Sequence, residues 1–115
     1  MAAEYRDFAK LDIRVAEIIS ARVNDKARRP AYVLELDCGP ELGAKTSSAQ
    51  ITEAYTPESL TGKRVLCVVN FPPKRVAGVK SEVLVLGVLS SGGEGPVVLV
   101  GPDDHAGVRP GDRLA

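Results

Sequence analysis

Five basic residues and no acidic one fall between Lys63 and Lys80: Lys63, Arg64, Lys74, Arg75 and Lys80. Such a run sets up a local positive potential that attracts carboxylates or phosphates. At its centre, Asn70-Phe71-Pro72-Pro73 puts an amide, an aromatic ring and two ring-locked residues at the exit of an apolar strand, just before two cations. A stiff apolar ledge of this kind can receive an extended peptide, or a nucleotide base, at little ordering cost. A second stretch, Lys45-Thr46-Ser47-Ser48-Ala49-Gln50, is six consecutive small or polar residues in a strand. Hydroxyl and amide groups there can pair with an extended backbone; equally, polar residues can blunt an exposed sheet edge. The expectation is a barrel wall left unfilled, taking a guest chain edge-on, with cations beside Phe71 to orient it.

Covalent chemistry finds no comparable support. His105 sits beside Asp103 and Asp104 in a Pro/Gly-rich tail, with no nucleophile tied to it. Ser47, Ser48, Ser81, Ser90 and Ser91 lack the strand–turn–helix context of an activated serine. Ala77-Gly78-Val79-Lys80-Ser81 ends like a phosphate-binding loop, but the upstream glycine is missing and a strand follows. Cys38 and Cys67 fall inside strand patterns and read as buried free thiols. Two cysteines and one histidine support neither a disulfide scaffold nor a zinc site. No catalytic residue, metal or cofactor is expected.

The 115 residues are one domain's worth of chain. Fifteen Lys plus Arg balance fifteen Asp plus Glu, and the pI is about 6.6. Zero net charge argues against gripping nucleic acid by overall charge, while leaving room for a local basic patch. The first ten residues hold no apolar core of a signal peptide. The longest apolar run, Val83 to Leu89, is far short of the roughly 20 residues a membrane helix needs. A soluble cytoplasmic domain without membrane insertion follows as the expectation.

The elements that must position these stretches are strands broken by turns, given eleven glycines, eight prolines and abundant valine. Tyr5–Lys10 reads as a short helical turn, with Phe8 and Leu11 as apolar anchors. Residues 12–24 read as a long strand whose alternation slips at Glu17-Ile18-Ile19, the mark of a bulge at a barrel corner. A charged hairpin loop follows, with Lys26, Arg28 and Arg29 against Asp25. Strands are expected over 31–38 and 44–51, then a short helix entered through Thr56-Pro57. Further strands are expected at 64–70, at 81–89 (unbroken and buried on both faces) and at 96–100, with one more short pairing in the tail. Five or six strands with a helix after the third point to an all-β fold, a five-stranded Greek-key OB barrel with short helices and terminal extensions.

Three blocks carry a resemblance: Asp12-Ile13-Arg14-Val15; Ser47-Ser48-Ala49-Gln50-Ile51-Thr52; and Val69-Asn70-Phe71-Pro72-Pro73 with Ser81-Glu82-Val83-Leu84-Val85-Leu86-Gly87. Together they resemble the CsaA family, small secretion-associated chaperones, over about Phe8 to Val100. The resemblance implies one OB-fold domain over 1–115, paired as a homodimer through extensions at 1–11 and 96–115. It implies non-enzymatic, ATP-independent binding of unfolded or precursor polypeptides in pockets near the dimer axis. The wider superfamily is the tRNA-binding domain attached to bacterial methionyl-tRNA synthetase, which makes tRNA the alternative partner. Those cousins usually carry Ser-Gly where this chain has Ala49-Gln50, and Gly-Met where it has Val83-Leu84. Both departures go toward CsaA.

Carried over by position, Ser48, Gln50, Asn70, Phe71, Pro72, Lys74, Arg75, Lys80, Ser81 and Glu82 are the expected ligand-binding residues. Phe71 and Pro72 would wall an apolar pocket. Gln50 and Asn70 would offer amides to a peptide backbone. Lys74, Arg75 and Lys80 would draw carboxylates or phosphates. Glu82, in an apolar strand, needs a partner, expected to be Arg75 or Lys80. Phe8, Leu11, Val97 and Leu99 are the expected dimer contacts, since lone apolar extensions are unfavourable in water.

Overall fold

The longest alternating segment becomes the longest strand, β1 (Ile13–Val23). The computed structural model of the chain describes residues 1–115. It contains α1 (Tyr5–Ala9), β1, β2 (Tyr32–Asp37), β3 (Ala44–Ala49), α2 (Pro57–Leu60), β4 (Arg64–Val68), β5 (Lys74–Val76), β6 (Val79–Ser81), β7 (Leu84–Val85), β8 (Gly87–Leu89) and β9 (Val97–Leu99). Five strands form one antiparallel sheet in the order β3-β2-β1-β4-β7. The sheet curls until residues 82–83 meet β3. There the Glu82 N–H donates to the Thr46 carbonyl at 2.8 Å, and Ser47 Oγ donates to the Val83 carbonyl at 2.9 Å. The result is a nearly closed five-stranded OB barrel, as the strand count predicts.

The bend that allows closure lies where the sequence alternation slips. Ile18 pairs with Leu36 and Ser20 with Glu35, leaving Ile19 as the extra, outward residue. A bulge of this kind increases local twist and turns the strand from one partner to the next. β1 accordingly pairs with β4 over Ile13–Glu17 and with β2 over Glu17–Val23. Inside the barrel, Ala16, Ile18, Leu34, Leu36, Leu60, Val65, Cys38 and Cys67 are fully buried. α2 closes one end. Thr56 caps it by accepting from the Ser59 N–H at 3.1 Å, Pro57 supplies the first turn, and Leu60 plugs the core.

The tail covers the edge of β1 that β2 does not reach. The Gly111 N–H donates to Val15 O, the Val15 N–H to Asp112 O, and the Leu114 N–H to Ile13 O. Backbones cross closely here: a Cβ on Gly39, whose φ is +93°, would sit 2.6 Å from Pro110 O. The crossing is locked by Arg14, which is buried. Its Nε and Nη2 reach the Asp12 carboxylate at 2.7 and 3.1 Å, and its Nη1 reaches Glu41 and the Gly111 carbonyl, both at 3.3 Å. Hydrogen bonding from Arg14 holds Asp12 below the usual carboxylate range, outweighing the opposing desolvation; the charges of Arg14 and Arg113 add to it. A carboxylate with a depressed folded-state pKa stabilises the fold above its unfolded pKa, near 3.9, and loses that contribution as pH falls through the folded value. The urea midpoint should therefore be flat around neutrality and fall below about pH 4. Asp12→Asn should have a lower midpoint at pH 7 and a shallower acid limb. An acid limb as steep as wild type would contradict this role for Asp12.

The run 81–89 departs from expectation. It is not one buried strand but three short pieces: the end of β6, then β7 and β8. Leu84, Val88 and Leu89 are exposed, Leu89 at 69%. Ser81 and Glu82 leave the sheet to satisfy β3, and after Leu86 the chain pairs with β9 as a separate ribbon, Gly87–Leu89 against Val97–Leu99. The β5–β6 hairpin was also unanticipated. Its loop, Ala77-Gly78, has φ of +46° and +82°, as two-residue hairpin loops favour.

Candidate binding site

The β5–β6 hairpin folds over the open side of the barrel, and side-chain alternation along it divides its residues. Lys74 pairs with Ser81 and Val76 with Val79, on one face; Arg75 and Lys80 pair on the other. The first face closes over an apolar cavity of about 250 Å³ lined by Ser48, Phe71, Pro72, Lys74, Val76, Ser81, Glu82, Val83 and Leu84. Phe71 is 44% exposed and Leu84 49%, so two apolar walls stand open to solvent. The volume lies just below the range typical of small-molecule sites, about 300 Å³ upward. It suits one apolar side chain better than a cofactor.

Six of the ten expected residues meet at this cavity: Ser48, Phe71, Pro72, Lys74, Ser81 and Glu82. The other four do not line it. Arg75 and Lys80 project from the opposite face of the hairpin, Arg75 reaching the Gly78 carbonyl at 3.4 Å. Gln50 lies past the end of β3 and lines a separate polar cleft with Arg29, Pro30 and Glu53. Asn70 is occupied by its own chain. Its Oδ1 accepts from the Asp12 N–H at 2.9 Å, and its Nδ2 donates to the Lys10 carbonyl at 2.8 Å. Val76, Val83 and Leu84 were missed. The signal for Val76 was Ala77-Gly78 between two valines, a hairpin mark once the stretch is not read as a phosphate loop.

The edge of β3 is not free. The Thr46 N–H donates to Glu82 Oε1 at 3.1 Å and the Ser48 N–H to Ser81 Oγ at 3.1 Å. These are the outward-facing amides that a guest strand would need, because unpaired amides in a half-buried edge are costly. Glu82 takes its second partner from Lys45, 3.9 Å away, rather than from Arg75 or Lys80. The polar wall thus serves closure of the barrel, and the open feature is the apolar cavity beside it. Lys74 at its rim has no acidic partner within 4 Å.

A second surface feature adjoins the site. The β1–β2 loop docks on the β5–β6 hairpin: Asn24 Nδ2 donates to the Ala77 carbonyl at 3.4 Å, and the Lys26 side chain lies against Gly78. This sets Lys26 against the hairpin that carries Lys74, Arg75 and Lys80, while Arg28 and Arg29 follow in the same loop, Arg29 toward the Gln50 cleft; all six are exposed and none is in an ion pair. Asp25 is the one acid in that loop.

The remaining expected residues fall elsewhere. Phe8 lies on α1 at the surface and Leu11 is half-buried. Val97 and Leu99 pack against the chain's own core, and the exposed members of the β8–β9 ribbon are Val88 and Val98 on the other face and Leu89 at its end. Burial pushes the Cys38 thiol up to about 11 and the Cys67 thiol up to about 12, so neither is a thiolate at neutral pH. His105 Nδ1 accepts from the Gly107 N–H at 3.0 Å in the exposed tail. No helix is long and apolar enough to cross a membrane.

The chain is thus a nearly closed OB barrel bearing an open apolar cavity beside a basic surface. The chain belongs to the family described as putative tRNA binding domain, whose model matches residues 13–112. Within that family it is CsaA-like. It superposes with a TM-score of 0.90 on the chaperone CsaA of Bacillus anthracis, at 48% identity and with all of both chains covered. It superposes equally well, at 0.90, on the CsaA chaperone protein of Picrophilus torridus, at 44% identity, covering 99% of this chain and 100% of that one. Over 103 residues it is 36% identical to methionine–tRNA ligase of Flavobacterium johnsoniae, covering 90% of this chain and 14% of the ligase. The chain thus spans about one-seventh of the length of the curated relatives it matches.

Proposed function

We propose that this protein is a non-enzymatic, ATP-independent chaperone-like module that holds unfolded or precursor polypeptides, in the cytoplasm and in the service of secretion. The observation that carries this reading is the cavity itself: about 250 Å³, walled by Phe71, Pro72, Val76, Val83 and Leu84, and open to solvent. Relatives at 44% and 48% identity over essentially the whole chain bear the name of a chaperone, which supports it. The client enters by a side chain, not as an added strand, because Ser81 and Glu82 occupy the amides of β3. A homodimer would place two such cavities on one particle and raise avidity for a long chain. Phe8 and the exposed Val88, Leu89 and Val98 are the surfaces a second copy would cover. Light scattering would then give twice the 12.2 kDa of one chain at micromolar concentration.

A second reading, tRNA binding, is favoured by the six unpaired cations of the two docked hairpins and by the family description. In OB folds the loops after the first and fourth strands commonly bind oligonucleotides. The two readings separate in parallel titrations of a labelled presequence-like peptide and of labelled tRNA, each over a salt series. Polypeptide binding through an apolar cavity should weaken little between 50 and 200 mM salt, as apolar burial is not screened. Affinity for tRNA should instead fall with a log–log slope of roughly −0.7 to −0.9 per phosphate contacted. Saturable, salt-tolerant peptide binding supports the first reading. Absence of peptide binding with a steep tRNA slope replaces it with the second.

A further inference from the structure

α1 is held by little of its own. Five residues are too few to be helical alone, and none of them is buried. Its C-terminal end is secured by one side chain. Asn70 Nδ2 donates to the Lys10 carbonyl at 2.8 Å, and Asn70 Oδ1 accepts from the Asp12 N–H at 2.9 Å. One residue before Asn70, the Val69 N–H donates to the Asp12 carbonyl at 2.8 Å. One residue after it, Phe71 forms the cavity wall, followed by two prolines that limit how the backbone can adjust. The segment that ends α1 and the segment that begins the wall are therefore joined by one backbone bond, Val69 to Asp12, and by the Asn70 side chain, which alone of the two reaches back to Lys10.

We propose that Asn70 is a positioning residue that couples the docking of α1 to the setting of the Phe71 wall. The proposal rests on the reading of the cavity as the polypeptide site. Linkage is reciprocal: filling the cavity holds α1 in place, and fraying α1 weakens filling. The Asp12 carboxylate is tied separately, to Arg14 and Arg113, so its ion pairs do not require the Asn70 side chain.

The chain contains two phenylalanines, one on each coupled element, so fluorophenylalanine labelling yields a ¹⁹F spectrum of two lines, Phe8 and Phe71. α1 can be frayed at a distance by Asp7→Ala, which removes the bond from the Glu4 N–H to Asp7 Oδ2. With Asn70 present, Asp7→Ala should shift both lines; in an Asn70→Ala background it should shift only that of Phe8. A saturating presequence-like peptide should likewise move both lines in the wild type and only that of Phe71 in Asn70→Ala, with affinity about fivefold weaker. A Phe71 line that ignores Asp7→Ala, or responds equally without Asn70, overturns the coupling. Should Asn70→Ala fail to fold, wild type against Asp7→Ala still decides it. A peptide that leaves Phe71 unmoved in the wild type counts against the cavity reading, while the peptide-free comparison still judges the coupling.

Discussion

Phe71→Ala is expected to weaken binding of a presequence-like peptide at least about tenfold, with almost no loss of stability. The two halves of that expectation come from the same fact. Phe71 is 44% exposed and outside the buried core, so its removal opens no cavity in the interior. It is also the largest apolar wall of the site. Truncating an aromatic anchor in such a site commonly costs more than about 1 kcal/mol of binding, and about 1.4 kcal/mol is a factor of ten. Anisotropy titrations and urea melts on the same samples separate the effects. Equal peptide affinity in wild type and variant would remove Phe71 from the site. A large fall in melting midpoint would show that the ring supports the fold instead.

The largest stability effect is expected at Arg14, whose side chain is buried where that of Phe71 is exposed. Arg14→Met should lower the unfolding free energy by about 3 kcal/mol, the lower end of what breaking a buried ion pair costs. The guanidinium is buried and contacts Asp12, Glu41 and the Gly111 carbonyl, so its loss strands a half-buried carboxylate and leaves the tail held on β1 by its backbone bonds alone. Asp12→Asn combined with Arg14→Met should be less damaging than the sum of the two changes, because the stranded charge is gone. Strict additivity in urea denaturation would contradict the pairing. Proteolysis near residues 109–115 should become faster in Arg14→Met than in wild type, reporting release of the tail.

The barrel was legible where local chemistry and global need coincide. The slip at Glu17-Ile18-Ile19 became the β1 bulge, and Thr56-Pro57 became the capped entry to α2. The clean alternation of 31–38 became β2, with Leu34 and Leu36 in the core. The run 81–89 misled because apolar composition reports burial or pairing without saying which partner provides it. Here Ser81 and Glu82 turn to β3, and the valines and leucines beyond them form an outward ribbon with β9. The site was legible as a neighbourhood and not as a face. Lys74 and Ser81 share one side of the β5–β6 hairpin, Arg75 and Lys80 the other, and only the register of a hairpin hidden at Ala77-Gly78 sorts them. Asn70 was read as a free amide because its partners, Lys10 and Asp12, lie some sixty residues earlier in the chain. A contact at that separation leaves no local pattern.

The proposed function requires an apolar client side chain to enter between the Phe71-Pro72 wall and the β5–β6 hairpin. A presequence-like peptide with a benzophenone side chain in its apolar core tests this directly, with the cross-linked residues mapped by mass spectrometry. Cross-links should concentrate on residues 71–76 and 83–84 and be suppressed by excess unmodified peptide. Cross-links confined to the β1–β2 loop at 25–30, or scattered without competition, would contradict the account.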